Sequence, residues 1–430
     1  MTAIAFVIGV VVLVVGLAVS IALHELGHLL PAKRFGVRVG QYMIGFGPTI
    51  WSRRKGETEY GFKAIPLGGY ISMAGMYPPS PRETAGKPGR AGGGFFATMV
   101  QDARSANDET LHGRDDDRVF YKLPVWKRVV VMLGGPVMNL LLAVVLFTII
   151  FSGIGVQTAT TTVAGLSECV PASVSAECTA ADPPAPAQAA GIEPGDVIVS
   201  VDGTAVSTFA EASAIIRQSP GQSIPIVVER GGEQQTLTVT PATIQSPATD
   251  STAATEVGFV GIRPDVQYVR QPIWTGVQTA AENVGQVASI IWQLPVKVYQ
   301  TAADLVTGQE RDPNGPLSVV GAGILAGEVA AVDAPIVNRV SAMLGLLASL
   351  NIALFVFNLI PLLPLDGGHV VVALWDGLKR AWAKLFKRPA PKPVDATKLV
   401  PVTFVVVIGL IVMGAVLILA DIFNPVSIIQ

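Results

Sequence analysis

The sequence predicts a membrane α-helical fold: four transmembrane helices, a β-rich domain inserted between two of them, and a β-hairpin associated with the bilayer. Three observations predict it. Half of the 430 residues are hydrophobic, only 14% are charged, and the mean hydropathy is +0.51. Four runs are apolar over the length of a bilayer span, which takes about 20 residues. Strand and turn patterns fill the stretch between the second and third runs. The net charge of −2 argues against nucleic acid as a partner.

The first predicted transmembrane helix covers residues 1–30. Its apolar run from Ala3 to Leu23 has the length of a span and contains no charged residue. No basic segment precedes the run, and it ends in H-E-L-G-H rather than in a small-residue cleavage site. We therefore expect a retained helix and not a secretory signal peptide.

Three ionisable residues, His24, Glu25 and His28, lie inside this apolar helix. An ionisable side chain at membrane depth costs roughly 2.5–3.5 kcal/mol, and a bound metal ion would compensate for that cost. Because residues four apart share one helix face, His24 and His28 can both direct a ring nitrogen at one Zn²⁺. Glu25 lies beside the metal, where it can take a proton from water as a catalytic base. The motif predicts a zinc hydrolase built inside a membrane.

Three further apolar runs complete the predicted set of spans. They cover residues 129–154, 340–369 and 400–421, and the span 340–369 includes an L-D-G-G motif. Asn139 is polar at membrane depth, so it faces either the site or another helix. Residues 270–305 are only moderately apolar, and we expect an amphipathic or interfacial helix there.

The charges of the connecting segments predict the orientation. Residues 31–128 after the first helix and residues 376–398 before the last are basic segments, whereas the segment between the second and third spans is acidic. By the positive-inside rule both basic segments are cytoplasmic, and the acidic segment and both termini are outside. Within the first basic segment, residues 77–118 are rich in Gly, Arg and Asp and are predicted to be a disordered or lineage-specific cytoplasmic loop.

The outside segment, residues 156–264, has the pattern of a small β-rich domain. The string from Ala190 to Gly203 is a turn, an alternating strand and an Asp-Gly turn, and a helical stretch and a hairpin follow it. The two cysteines of the chain, Cys169 and Cys178, lie in this segment. The compartment can be oxidising, so they form either a disulfide or two unpaired thiols.

A third ligand is needed to complete the zinc site. The metzincin spacing fails because Arg34 stands where that pattern has histidine. Glu57 and Glu59 lie in a basic, polar loop and would have to reach into the membrane. Asp366 is the better candidate, because prolines before it break the helix at membrane depth, and irregular backbone is tolerated there where it lines a cavity. Two histidines and one aspartate leave a fourth position for water. His369 is expected to hydrogen-bond locally.

Short β-prone stretches at residues 49–53 and 57–67 predict a hairpin that dips toward the membrane. Its exposed edge could hold an unwound substrate strand. Gly68, Gly69 and Tyr70 are candidate substrate-binding residues of that edge, although the same G-G-Y sequence is also compatible with a simple turn.

Several motifs together resemble those of the site-two protease family, in particular its bacterial branch with a PDZ domain, which cleaves membrane-bound anti-sigma factors. The motifs are H-E-x-x-H, G-F-G-P at Gly45–Pro48, G-G-Y at Gly68–Tyr70, G-P-x-x-N ending at Asn139, and N-x-x-P with L-D-G-G. The A-G-I-x-x-G-D string resembles the PDZ domains of bacterial proteases. The resemblance implies that His24, His28 and Asp366 hold zinc and that Glu25 is the catalytic base. It also implies that Asn358 and Pro361 contact the substrate.

The expected function is intramembrane zinc-dependent proteolysis of transmembrane segments, with Zn²⁺ as cofactor and a pre-trimmed anti-sigma factor as the expected kind of substrate. The expected location is the bacterial inner membrane, with the active site toward the cytoplasm. The PDZ domain lies outside, where it excludes bulky substrate ectodomains or binds a substrate peptide. The alternatives are a catalytically silent PDZ scaffold and a zinc transporter, which would need polar residues along a path across the bilayer.

Overall fold

The fold is given by a computed structural model that describes residues 3–77, 117–170, 182–246, 255–312, 315–389, 391, 393–394 and 399–425. These residues form two compact units: an inserted domain of residues 154–271, and a helical unit made of the chain on either side of it. Most of the predicted loop 77–118 and Cys178 lie outside the described residues. Cys169 is disulfide-bonded.

In chain order the elements are one helix, a hairpin, a second helix, the β-rich inserted domain and five more helices. They are α1 (Ala3–Arg34), β1 (Val39–Lys55), β2 (Thr58–Met73), a 3₁₀ turn (Phe120–Lys122), α2 (Val125–Thr148) with a π-helical continuation (Ile149–Ile154), β3 (Val156–Leu166), α3 (Pro186–Ala189), β4 (Val197–Val201), β5 (Thr204–Ala205), α4 (Phe209–Arg217), β6 (Ile224–Arg230), β7 (Glu233–Val239), β8 (Ala242–Ser246), β9 (Thr255–Phe259), β10 (Ile262–Val269), α5 (Ile273–Thr307), α6 (Val319–Ala331), α7 (Ile336–Asn358), α8 (Asp366–Leu385) and α9 (Val400–Phe423).

Four helices of the described chain are long and apolar enough to cross a membrane: α1, α2 with its continuation to Ile154, α7 and α9. The predicted number of spans is confirmed. Large apolar side chains remain exposed on α9, including Val405 at 63% and Ile411 at 65% of their surface. A helix that is apolar all round suits a lipid environment rather than water.

The third predicted span differs from the structure. The sequence predicts a span over residues 340–369 and a loop over 376–398, but α7 ends at Asn358 and α8 begins at Asp366 and runs to Leu385. Pro361 and Pro364 account for the break, because proline lacks the amide hydrogen that a helix needs. Beyond the break the apolar residues return at helical spacing, which favours a new helix over a loop; they are Val371, Trp375, Leu378, Trp382 and Leu385.

Two helices lead from the inserted domain back to α7. The helix α5 spans the region predicted to be interfacial and ends at Gly308, which adopts the left-handed conformation that commonly terminates helices. The short helix α6 was not predicted. Its N-terminus is capped by Ser318, whose side-chain oxygen accepts hydrogen bonds from the amides of Val320 and Gly321.

The strands β1 and β2 form one antiparallel hairpin. The sequence predicts only its outer half, residues 49–53 and 57–67. The stretches Gly45–Pro48 and Gly68–Tyr70, which are compatible with turns in the sequence, lie inside the two strands. The pairing register shifts repeatedly in this part of the hairpin, and Gly68 has a φ of 99°, a conformation that favours a bulge over regular pairing.

The inserted domain is built on a sheet with strand order β10-β3-β4-β6-β7, with β5 beside β4, and on a small second sheet of β8 and β9. The helix α4 begins at a capping box, in which Thr208 and Glu211 each accept a hydrogen bond from the other's backbone amide. Its residues Ala212 and Ile216 pack into the apolar core. The β-rich region that the sequence predicts is therefore present.

Candidate metal centre

The last turns of α1 bring the two histidines of H-E-x-x-H together. The Nε2 atoms of His24 and His28 are 3.2 Å apart, and both side chains are largely buried, with exposures of 13% and 5%. Two nitrogens bound to one tetrahedral zinc at 2.0–2.1 Å would be separated by about 3.3 Å. The spacing of the two rings therefore fits a shared zinc ion.

Asp366 is the first residue of α8, and its carboxylate reaches the same point. Its Oδ2 atom is 3.4 Å from Nε2 of His24 and 3.4 Å from Nε2 of His28. Helix α8 is tied to α2 by a buried ion pair between Arg128 Nη1 and Asp376 Oδ2, 3.0 Å apart. The loop after Asn358 and this ion pair together position an aspartate that is more than 330 residues from the histidines in the sequence.

The chemistry of the three side chains fits a metal cation. Nδ1 of His28 lies 2.8 Å from the carbonyl oxygen of Val131, so it carries the proton and leaves the Nε2 lone pair free for a metal. Oδ2 of Asp366 is buried and makes no hydrogen bond to any described residue. Three groups that can each give an electron pair to a metal thus converge at one point. They are the one cluster of this kind in the part of the chain that the structure describes.

Glu25 lies next to this cluster and is 8% exposed. The hairpin packs against it: a β-carbon placed on Gly69 would be 3.1 Å from Glu25 Cγ and 2.9 Å from Ile21 Cγ2. The Tyr42 hydroxyl donates to the carbonyl of Ala22 at 2.7 Å and fixes the hairpin to α1. The sequence predicts neither of these contacts between strand and helix.

The other residues of the hairpin lie just beyond this contact. The hydroxyl of Tyr70 donates to Gln41 Oε1 at 3.1 Å, and its ring stacks on Phe46 at 6.5 Å. The same Phe46 ring closely covers the α-carbon of Gly68 and leaves no room for a β-carbon there. Gly68, Gly69 and Tyr70 thus form one segment of β2 beside Glu25.

Asn358 and Pro361 lie at the end of α7 and in the loop that leads to Asp366. The Nδ2 atom of Asn358 donates to the carbonyl of Leu354 in its own helix at 3.0 Å, and Pro361 is exposed. Neither residue belongs to the metal cluster, as the sequence analysis expects for residues that would contact a substrate.

The alternative ligands are engaged elsewhere. Glu57 forms two hydrogen bonds with Arg118, at 2.6 and 2.9 Å, and these bonds hold the pKa of Glu57 below its usual range. Glu59 accepts a hydrogen bond from Gln41. The ring of His369 stacks on Tyr77 with centroids 6.2 Å apart. None of these three side chains belongs to the metal-ligand cluster of the described residues.

Gly135 on α2 is a site residue that the sequence analysis missed. A β-carbon placed there would overlap Nε2 of His28 and would stand 2.7 Å from its Cε1 and 2.8 Å from Cε1 of His24. The preceding residue, Gly134, packs against the backbone of Gly27. Adjacent glycines in an apolar helix are a known sign of close helix packing, and this sign was available in the sequence.

Comparison with known proteins gives one family and several full-length relatives. The family model described as peptidase family M50 matches residues 12–390. The zinc metalloprotease Rip1 of Mycobacterium tuberculosis is 36% identical over 450 residues, covering 99% of this chain and 100% of that protein. The protein of the same name from Mycolicibacterium smegmatis is 35% identical over 447 residues with the same coverage. Metalloprotease MmpA of Caulobacter vibrioides is 29% identical over 402 residues, 88% of each chain.

Proposed function

Because this chain belongs to peptidase family M50, the site-2 protease family, and is a zinc metalloendopeptidase, we propose that it cleaves transmembrane segments of other membrane proteins. The observation that carries the proposal is the position of the ligand cluster. His24 and His28 lie on α1, one of the four helices apolar enough to span a membrane. A peptide bond cleaved there has to come from a segment that also enters the bilayer.

His24, His28 and Asp366 would hold the zinc. When bound, zinc supplies Lewis-acid polarisation of a carbonyl and makes water more acidic. Glu25 takes the proton of the attacking water and passes it to the leaving nitrogen, since it follows His24 in the chain, is buried and is held against β2. The close packing of Gly69 over Glu25 and Ile21 keeps bulk water away from this carboxylate.

The hairpin would hold the substrate in an extended form. A transmembrane helix hides its carbonyls in internal hydrogen bonds, so it must unwind before cleavage. A strand edge can replace those bonds by strand addition, and the Gly68–Tyr70 segment lies beside the catalytic base. The amide of Asn358 would then bind the substrate backbone, and Pro361 would keep the adjacent loop from closing into a helix.

The inserted domain would act as a PDZ domain. The A-G-I turn contributes Ile192 to its core, and Gly191 accepts a hydrogen bond from Arg230 Nη2 at 2.8 Å, so this turn is a structural element of the domain. We favour a steric filter that excludes bulky ectodomains over recruitment of a peptide. Substrates would therefore be pre-trimmed membrane proteins such as anti-sigma factors.

The proposed orientation places the inserted domain outside the bacterial inner membrane and the site toward the cytoplasm. The last turn of α1 carries Lys33 and Arg34, shortly after the zinc ligands, and basic residues at the end of a span favour the cytoplasmic side.

Reconstitution of the purified protein tests the proposal. In liposomes with a single-span substrate that lacks an ectodomain, we expect cleavage within the span, and loss of cleavage when a chelator removes zinc. A zinc-loaded protein that never cleaves such a substrate would support the scaffold alternative and refute the proposal. Replacing residues 163–261 with a short linker tests the filter, because the shortened protein should then also cleave substrates with intact ectodomains.

A further inference from the structure

A buried polar side chain of α2 lies outside the ligand cluster and has an unpaired amide. Asn139 on α2 is 1% exposed, and both Nδ2 and Oδ1 are buried without a hydrogen-bond partner among the described residues. An unpaired amide in an apolar helix bundle is unfavourable. The burial of this unpaired amide one turn from Gly135 calls for a partner.

The proposed zinc ligand His24 has an unpaired ring nitrogen that could pair with this amide. Its Nδ1 atom is buried and has no hydrogen-bond partner in the described part of the chain, whereas Nδ1 of His28 is paired with the Val131 carbonyl. A metal-bound histidine nearly always donates its second ring N–H to an oxygen, which fixes the tautomer and the ring orientation. His24 therefore lacks the acceptor that His28 has.

The packing of α1 on α2 puts the two unpaired groups on facing surfaces of these helices. Val131 lies level with His28 and Gly135 lies against both histidines, so the two helices run antiparallel. Gly135 faces Cε1 of His24, and Cε1 is bonded to Nδ1, so this nitrogen also borders α2. Asn139 is one turn beyond Gly135 on the same face of α2. Its side chain leans toward the start of α2, which is toward Gly135 and the His24 ring.

We infer that Asn139 is a positioning residue for the metal centre: when zinc is bound, its Oδ1 accepts a hydrogen bond from Nδ1–H of His24 and holds that ring with the Nε2 lone pair directed at the metal. The inference concerns zinc binding alone and does not depend on the proposed substrate.

Asn351 on α7 is the rival acceptor and the matched control. Its Oδ1 is also buried without a partner among the described residues. Its Nδ2, however, donates to Ser20 Oγ at 2.9 Å and to the carbonyl of Leu347 at 2.8 Å, which fixes the amide between α1 and α7. The ring edge of His24 that carries Cε1 faces α2 instead.

The test is the zinc affinity of the full-length purified protein, measured by competition with a chelating dye. Asn139→Leu keeps the size of the side chain and removes the acceptor, so we expect zinc affinity to fall roughly 10- to 100-fold. Asn139→Asp keeps an acceptor oxygen and should restore the affinity. Asn351→Leu should lower thermal stability without changing zinc affinity.

Wild-type zinc affinity in Asn139→Leu would overturn the inference, as would an equal loss in Asn351→Leu or a failure of Asn139→Asp to restore binding. If Asn139→Leu does not fold, Asn139→Ala is compared with Asn351→Ala in the same assay, and equal affinities of these two variants count against the inference. Because cleavage is not the readout, a failure here is distinguishable from a failure of the proposed function.

Discussion

Adding one methyl group at Gly135 should abolish the metal centre. The β-carbon of Gly135→Ala would stand 2.7 Å from Cε1 of His28 and 2.8 Å from Cε1 of His24, whereas non-bonded carbons pack at about 3.5–4.0 Å. Each ring must therefore move by about 0.7 Å or more. The His28 ring has little freedom to do so, because it is 5% exposed and its Nδ1 is held by Val131.

A movement of this size exceeds the tolerance of a zinc site. Ligand distances in metal sites stay within about 0.2 Å of their usual values, and a misplacement of about 1 Å in a catalytic group costs about 100-fold in rate. We expect Gly135→Ala to lose most of its bound zinc and at least about 100-fold of its cleavage rate. Elemental analysis and the liposome cleavage assay measure the two quantities.

The matched control is Gly409→Ala in α9, where a β-carbon would have no neighbour within 4 Å. It should keep both zinc and activity. If Gly135→Ala binds zinc and cleaves substrate as the wild type does, then α2 does not pack against the two histidines as closely as described above.

Three further predictions concern the inserted domain and the orientation. The Arg230 guanidinium beside Asp196 lowers the pKa of that buried carboxyl. The ion pair therefore stabilises the domain fully at pH values above the usual aspartate pKa of about 3.9. This stabilisation is lost as the pH falls through the lowered pKa of the folded state. Arg230→Gln should therefore reduce amide protection of residues 154–271 at pH 7, and the difference from wild type should shrink in acid; a constant difference at every pH would contradict this. Thr208→Ala removes the cap of α4 and should destabilise that helix by about 1 kcal/mol, measured by hydrogen exchange; unchanged exchange would show that the cap is dispensable. A reporter inserted within Thr204–Ser219 should be found outside the cytoplasm and one near Lys392 inside, and the reverse result would overturn the orientation.

Much of the candidate metal centre could be predicted from short motifs because the spacing of its residues is local. His24 and His28 are spaced for one helix face, and an ionised cluster inside an apolar run is costly without a metal. Asp366 could be chosen because Pro361 and Pro364 mark a break in a membrane helix. The prediction of the four spans is equally local, since each span is recognised by its length and composition alone.

The parts that the sequence did not predict depend on tertiary packing. The helix α8 was assigned in part to a loop because its charges suggested solvent, while its pairing with α2 through Arg128 and Asp376 depends on distant residues. The role of Gly135 exists only because α2 packs against α1. The hairpin strands were predicted too short, since glycines inside a strand have the same local pattern as glycines in a turn.

We propose that His24, His28 and Asp366 hold the metal and that Glu25 moves the proton. The most direct test is the zinc content of purified Glu25→Gln, compared with that of Asp366→Ala, together with the cleavage rate of each. We expect wild-type zinc content and no cleavage for Glu25→Gln, and loss of both zinc and cleavage for Asp366→Ala. Equal zinc loss in the two variants, or cleavage by Glu25→Gln, would contradict it.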